Sequence, residues 1–577
     1  MKKWGKYIRP YISSFVLGPL CMIVELIGDI LMPILLAKII NDADAGRLSI
    51  SESIFISLGM IGIVLVMLAG GVGGAYFGAK ASVNFATDLR RDIYAKVQRF
   101  SFSNIDKFST GSLVTRMTND VTQLQNFVNM LLRMALRAPG MMIGGIIMAI
   151  SLKPSLSVVL AVTMPLMLIV LLVLIFVGFP RFGIMQNKID KLNSTVRENV
   201  TNVRVVKSFV REEYEIAKFE DANSDLKRAG INAVKILIWM GPIMNLFMYV
   251  SVIAVIWFGA DIVLRGEMPV GDLSAFVAYT TQILSNLMII TMLFMSASRA
   301  MASSKRIREV LDEKIDLTDE GATAPERKIE NGDIEFRNVS YRYYKNNDEL
   351  VLNNINLKIK SGSTVGIIGS TGCGKTTLVS MIPRLYDADE GEVLIDGVNV
   401  RDYSLVNLRD GVGIVLQKNV LFSGSITENL RWGDENASDD EIRAYSEYAA
   451  ADKFISTFKE GYDTMLDKGG TNLSGGQRQR VCIARALIKK PKILILDDST
   501  SAVDTATERQ IQSAFTEHLS DCTKIIIAQR INSVKNAEMI VVMNDGKITG
   551  IGTHEELLQS NVEYSEIYYS QTDKKEA

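Results

Sequence analysis

The amino-acid sequence predicts two folds in series: a membrane-embedded all-α domain of six transmembrane helices with long cytosolic extensions over residues 1–319, then an α/β domain over residues 320–577. Three observations predict it. Apolar runs long enough to cross a bilayer fill the first half, basic residues concentrate in two of the loops between them, and after residue 332 strand-like and helix-like stretches alternate around a glycine-rich loop.

Uncharged runs at 54–79, 154–180, 236–260 and 273–298 are each 25 to 27 residues long, enough to cross roughly 30 Å of hydrocarbon. Two further spans carry charge: 15–40 contains Glu25, Asp29 and Lys38, and 131–152 contains Arg133 and Arg137. The first apolar run is too long for the core of a cleavable signal and is read as a span. Orientation follows from Lys and Arg, which stay on the cytoplasmic side in short loops. Residues 80–127 hold seven of them and 181–235 hold eleven, whereas the other loops offer only Arg47, Lys153 and Arg265. A plasma-membrane protein with both termini in the cytoplasm is expected.

The net charge of −1 argues against nucleic acid as a partner. Cys21, Cys373, Cys482 and Cys522 show neither paired nor metal-ligand spacing, and reduced thiols are expected. Glu25 and Asp29 stand i, i+4 and share a helix face. Ionisable groups at such depth are costly and face a cavity or a partner. Contact with a cationic substrate and pairing with another helix are the two readings. Arg133 and Arg137, toward the cytoplasmic end of their span, read as snorkelling side chains.

The two basic loops are too long for turns and helix-friendly, so they read as extensions of the spans. At 1.5 Å rise, a 25-residue arm reaches about 40 Å beyond the bilayer. Residues 315–332 shift to Asp, Glu, Gly, Lys and Thr and read as a linker.

Beyond the linker, Thr364-Val-Gly-Ile-Ile-Gly369 reads as a buried strand. It runs into Gly369-Ser370-Thr371-Gly372-Cys373-Gly374-Lys375-Thr376-Thr377, which fits G-x-x-x-x-G-K-[ST]. Backbone N–H groups of such a loop converge on phosphates. Lys375 is expected to pair with the β and γ phosphates of ATP and Thr376 to hold Mg²⁺. Leu473-Ser474-Gly475-Gly476-Gln477 follows 98 residues after the lysine, and the apolar run Ile493-Leu-Ile-Leu-Asp497 leads into Asp498.

With these motifs behind six spans, the chain resembles the ATP-binding cassette (ABC) transporters, and within them exporters that fuse six spans to one P-loop ATPase. The resemblance implies that Asp497 supports Mg²⁺, that Gln417 in Ile414-Val-Leu-Gln417 senses it, and that Tyr343 stacks on adenine, with Tyr341 and Tyr344 as alternatives. It implies short coupling helices near 102–108 and 202–209 that dock on the ATPase, and a D-loop at Ser501-Ala-Val-Asp504. Each ATP is sandwiched between the P-loop of one subunit and the Leu473 to Gln477 signature of another.

Three motifs depart from the family. Asp498 stands where it places the hydrolytic Glu, Gln529 where it places a switch His, and Asp467-Lys468-Gly469-Gly470 where it has Gly-Glu-Arg-Gly. The shorter side chain sets its carboxylate on the order of 1 Å further from an attacking water, a misplacement that costs about 10²-fold in rate. Gln529 cannot take up the charge changes of an imidazole. His518 and His554 are the only histidines, and neither occupies the switch position. The resemblance therefore implies a heterodimer: this chain binds ATP at a degenerate site and completes the hydrolytic site of a second half-transporter that carries the consensus Glu and His. The cargo expected is a hydrophobic or cationic small molecule. A homodimer with two slow sites, and an ATP-gated regulatory membrane protein, are the alternatives.

Overall fold

The computed structural model describes residues 4–343, 349–498 and 503–572. Tyr344 and Ser501 lie outside them. The chain forms two compact units, residues up to 98 with 111–312, and residues 99–110 with 313–577. The division falls at 312/313, ahead of the boundary at 320 expected from composition. The stretch that reads as a linker packs with the second unit, because Leu317 and Ile329 are apolar enough to be buried there and Ala324 N–H donates to the Asp402 carbonyl at 2.9 Å.

In the first unit six helical stretches have the length and apolarity of membrane spans: Gly5–Asp44, Ile50–Gln98, Thr110–Leu152, Ser157–Thr201, Glu212–Leu264 and Val270–Asp312. They run 40 to 53 residues, at least about 60 Å at helical rise, so each extends well beyond the hydrocarbon. Apolar side chains such as Leu65, Val72 and Trp257 face outward, as lipid requires. The first two spans approach closely along Gly70, Gly74 and Gly78, one residue per turn. A Cβ at Gly70 would stand 2.9 Å from the Cys21 carbonyl oxygen, the small-residue packing that replaces hydrophobic drive between helices in lipid. The first and sixth spans meet as closely: the Gly271 N–H donates to Asn41 Oδ1 at 2.7 Å, and Tyr279 donates its hydroxyl to the Ile30 carbonyl at 2.6 Å.

The arm of the third span contains a π-helical turn, Arg116–Asp120, which aims the buried Asp120 at the arm of the sixth. Asp120 accepts from Ser303 Oγ and from Arg306 Nε, both at 2.8 Å. Burial opposes its ionisation, but the Arg306 and Ser303 hydrogen bonds and the Arg306 and Arg116 charges outweigh it and hold the carboxyl below its ordinary range.

The tips of the two arms are short helices, Phe102–Lys107 and Val203–Ser208, at the places named for the coupling helices. The first begins with a capping box, Ser101 accepting from Asn104 N–H, and packs with the second unit: Asn104 Nδ2 donates to the Lys314 carbonyl at 3.0 Å.

The second unit is built on β1 (Ile334–Tyr341), β2 (Leu352–Ile359), β3 (Thr364–Gly369), β4 (Glu390–Ile395), β5 (Val398–Asn399), β6 (Val412–Val415), β7 (Gly424–Ser425), β8 (Met465–Leu466), β9 (Ile493–Asp497), β10 (Thr523–Ile527), β11 (Met539–Asn544) and β12 (Lys547–Gly552). One sheet runs β12-β11-β3-β10-β9-β6, a second β2-β1-β4-β5, and β7 pairs with β8. β9 and β10 are buried at every residue because both lie in the parallel part of the sheet, covered on both faces; the buried Lys524 of β10 donates Nζ to the Leu519 carbonyl at 2.9 Å. Their register places Ile527 opposite both Ile367 of β3 and Asp497 of β9. The loops leaving these three strands therefore meet at one carboxyl edge, where open α/β sheets bind ligands.

Candidate functional site

Between β3 and the helix Lys375–Ser380, the chain turns through Gly369, Gly372 and Gly374 at φ of 156°, 88° and 96°, values that glycine alone adopts readily. A Cβ at Gly369 would lie 2.0 Å from the Met543 carbonyl oxygen, so the loop also sits too close to β11 for any other residue. Lys375 curls over it and donates to the Gly369 and Ser370 carbonyls at 2.9 and 2.7 Å. Ser370, Thr371 and Gly372 lie toward solvent at the rim, while Cys373 and Thr377 are buried beneath.

Thr376 Oγ1 donates to Asp497 Oδ2 at 2.9 Å. Asp497 is buried at the end of β9, and that burial, with the neighbouring Asp498 charge, pushes its carboxyl above the ordinary range despite the Thr376 hydrogen bond. A hydroxyl and a buried carboxylate held together are hard oxygen donors of the kind Mg²⁺ takes.

Asp498 stands just past β9 in the left-handed region, φ 48°, fixed by its N–H donating to the Ile527 carbonyl at 3.0 Å. Gln529, just past β10, donates Nε2 to Asp498 Oδ2 at 3.0 Å, and Gln417, just past β6, also hydrogen-bonds that carboxyl. Burial raises the Asp498 carboxyl above its ordinary range, opposed by the Gln417 hydrogen bond and the Lys375 and Arg530 charges. Asp498, Gln529 and Gln417, brought from three strand ends, form one cluster.

Tyr343 is 42 % exposed and its hydroxyl shares a 2.9 Å hydrogen bond with Thr377 Oγ1. Tyr341 is buried, which leaves Tyr343 as the ring of the two with an open face.

The signature residues lie apart from this cluster, at the start of the helix Gly475–Ile488. Leu473 is buried as an anchor. Ser474 is the N-cap, accepting from Gln477 N–H at 3.3 Å while Gln477 Oε1 accepts from Ser474 N–H at 2.9 Å. Ser474 and Gly475 stay exposed and Gly476 partly so, so the amino end of a 14-residue helix faces outward, an arrangement that favours an anion. Asp504 caps the helix Thr505–His518, accepting from the Ala506 and Thr507 amides at 3.1 and 3.0 Å. Both histidines have other work: His518 stacks on Tyr448 at 4.2 Å and His554 Nδ1 shares a 2.8 Å hydrogen bond with the Tyr564 hydroxyl.

Among the spans, Arg137 Nη2 reaches Glu25 Oε1 and Asp29 Oδ2, each at 3.0 Å. The expectation that Arg137 snorkels is corrected: two carboxylates one turn apart on the facing helix outbid the interface for its guanidinium. Glu25 and Asp29 are thus paired with another helix. Tyr386, whose hydroxyl donates to Asp106 Oδ2 at 3.0 Å, had no signal in the sequence that singled it out.

Residues 15–288 match the ABC transporter transmembrane region, and residues 352–501 match the ABC transporter family. YfiB, an uncharacterised ABC transporter ATP-binding protein of Bacillus subtilis, is 38 % identical over 575 residues, covering 99 % of this chain and 98 % of that protein. The chain belongs to the ABC transporter family. Another of the family's uncharacterised ATP-binding proteins, Rv1273c of Mycobacterium tuberculosis, is 36 % identical over 572 residues, 98 % of this chain and 97 % of its own. The structure of a bacterial Atm1-family ABC exporter with ATP bound superposes with a TM-score of 0.78, at 24 % identity and 98 % coverage of both chains, so the two share a fold. This ABC transporter is a half-transporter with the fold of an exporter, multi-pass in the plasma membrane, with its ATP-binding domain in the second unit. Exporters of this build act as dimers in the bilayer.

Proposed function

We propose that this half-transporter is the degenerate-site subunit of a heterodimeric, ATP-driven exporter of amphipathic or hydrophobic small molecules, cationic ones included. The observation that carries the proposal is the hydrogen bond from Gln529 to the Asp498 carboxylate. In the position where a carboxylate would orient water toward a γ-phosphate, a short side chain is engaged by an amide that cannot exchange a proton at neutral pH.

The phosphate grip, by contrast, is complete. The loop from Gly369 to Thr377 binds the phosphates, Lys375 turns from the carbonyls it now holds to the β and γ oxygens, and Tyr343 offers its open face to adenine. Thr376, Asp497 and Gln417 are the residues that would hold Mg²⁺, which when bound screens the phosphate charge. ATP stays at this site as a brace while Ser474 and Gly476 reach the γ-phosphate held by the second half-transporter, where a preorganised donor stabilises developing charge. Asp504 lies at the junction of the two sites.

One observation favours a second reading, a homodimer with two slow sites: burial raises the Asp498 carboxyl, which moves it toward the range of a working base. The test is turnover. The chain alone in lipid nanodiscs is expected to hydrolyse ATP at a small fraction of the rate of the assembled pair, and Asp498→Asn to leave most of the pair's turnover. Brisk hydrolysis by the chain alone, abolished by Asp498→Asn, selects the homodimer. Nucleotide binding with no ATP-dependent cargo movement, in any pairing, selects a regulatory protein that does not pump.

A further inference from the structure

The loop that carries Gln529 is gripped by a helix that follows it by some thirty residues, Val562–Thr572. Arg530 is extended, at φ −98° and ψ 128°, so the carbonyl before it and the amide after it open to the same side. Gln571 caps both: its Nε2 donates to the Gln529 carbonyl at 2.8 Å, and its Oε1 accepts from the Ile531 N–H at 3.0 Å. A carboxamide carries donor and acceptor in one plane, so Gln571 stands in for the edge of a neighbouring strand.

The helix is itself fixed near its start. Glu563, in its first turn, accepts from Asn544 Nδ2 at 2.8 Å and from Thr549 Oγ1 at 2.5 Å, residues of β11 and β12. Tyr564 beside it is fully buried. On the loop, Ala528 and Ile531 are buried, whereas Gln529 and Arg530 between them are exposed. The carboxamide therefore restrains the solvent-facing part of the loop, where burial does not. That part points its chemistry at the hydrolytic end of the site: the Gln529 side chain reaches the Asp498 carboxylate, and the Arg530 charge acts on the same group.

We propose that Gln571 is a positioning residue, which holds the Gln529 side chain at the γ-phosphate end of the nucleotide site and so helps this chain to prefer ATP over ADP. The proposal rests on the reading of Gln529 as the residue at the switch position, facing the γ-phosphate. ADP presents no group there. A loosened loop therefore weakens ATP and leaves ADP alone, whereas loss of a purely structural contact weakens both.

The test uses the full chain in lipid nanodiscs, with whichever subunit co-purifies, and measures half-saturation of photolabelling of this chain by azido-ATP and by azido-ADP, each with Mg²⁺. Gln571→Ala removes both bonds to the loop. It is expected to raise half-saturation for azido-ATP about fivefold, the low end of ordinary coupling, with azido-ADP and the melting temperature unchanged. Gln529→Ala is expected to cut the preference for ATP at least as far. The double variant is expected to be no worse than Gln529→Ala alone, since Gln571 acts through that side chain. Wild-type half-saturation for both nucleotides in Gln571→Ala overturns the proposal. So does a loss shared equally by ATP and ADP, and so does a double variant in which the effects multiply. Gln529→Ala keeps the two readings apart. If it cuts the preference for ATP while Gln571→Ala does not, the switch position stands and the positioning role falls; if it leaves the preference unchanged, the reading of Gln529 falls and the positioning role with it.

Discussion

At the phosphate end of the nucleotide site the groups that would meet ATP are free to turn toward it. Lys375 is held by two carbonyls and the Cys373 sulfur of its own loop, and Thr376 and Asp497 hold each other; both arrangements can exchange for bonds to phosphate and metal at little cost. At the hydrolytic end, the Asp498 carboxylate is engaged by Gln529 and Gln417 and its backbone is pinned at positive φ. On the proposed reading, the difference makes binding and hydrolysis separable within one site. The first would depend on glycine backbone and one lysine, the second on two side chains whose length and proton chemistry are critical.

Removing the lysine is the strongest way to break that comparison. Lys375→Ala should weaken nucleotide labelling of this chain by about 10²-fold, the loss of two charge-assisted hydrogen bonds, whereas Asp498→Asn should leave labelling within a factor of about two. If both variants lose labelling alike, the two ends are one functional unit and the comparison fails.

Restoring the hydrolytic end sharpens it. Asp498→Glu together with Gln529→His should raise ATP turnover at this chain's own site by about 10²-fold, measured with the second subunit's hydrolytic Glu replaced by Gln, since the repaired distance and the imidazole each act on the same step. The double change is expected to exceed the product of the single ones, because a Glu still bound by Gln529 is not free to orient water. On the signature side, Ser474→Ala should slow the assembled pair by about tenfold and leave labelling of this chain unchanged. The hydroxyl is one donor of several, and Gly475 and Gly476 keep their amides.

Much of this was legible in the residues themselves. The phosphate loop, the ends of β3 and β9 and the six spans follow from patterns confined to neighbouring positions: a glycine spacing, an apolar strand, an uncharged run. The tips of the cytosolic arms were placed by resemblance, and helices stand there at Phe102–Lys107 and Val203–Ser208. Contacts between distant segments were not legible. Arg137 was expected at the interface because sequence position gives depth and leaves the facing helix unknown; only packing brings Glu25 and Asp29 to it. Tyr386 and Asp106 are separated by 280 positions, and no local pattern marks either. Asp120 is a further case, since a π-turn changes which face a residue occupies and no motif announces one.

Asp120 also supplies the mildest perturbation, one that should leave both ends of the nucleotide site alone. Its pairing with Arg306 and Ser303 is buried on the acid side and half-open on the arginine side, so Asp120→Ala should cost about 2 kcal/mol, less than a fully buried pair, and lower the melting temperature by a few degrees. Nucleotide labelling at saturating protein stability should not change. The pH dependence follows from the depressed carboxyl. The contribution is complete above the ordinary carboxylate range near pH 4, and it drains away as pH falls through the lower folded-state value. Wild type should therefore lose its advantage over Asp120→Ala only on the acid side of about pH 4. A gap that stays constant down to the acid limit would assign the effect to packing rather than to the ion pair, and a gap that closes as pH rises would contradict the charge argument outright.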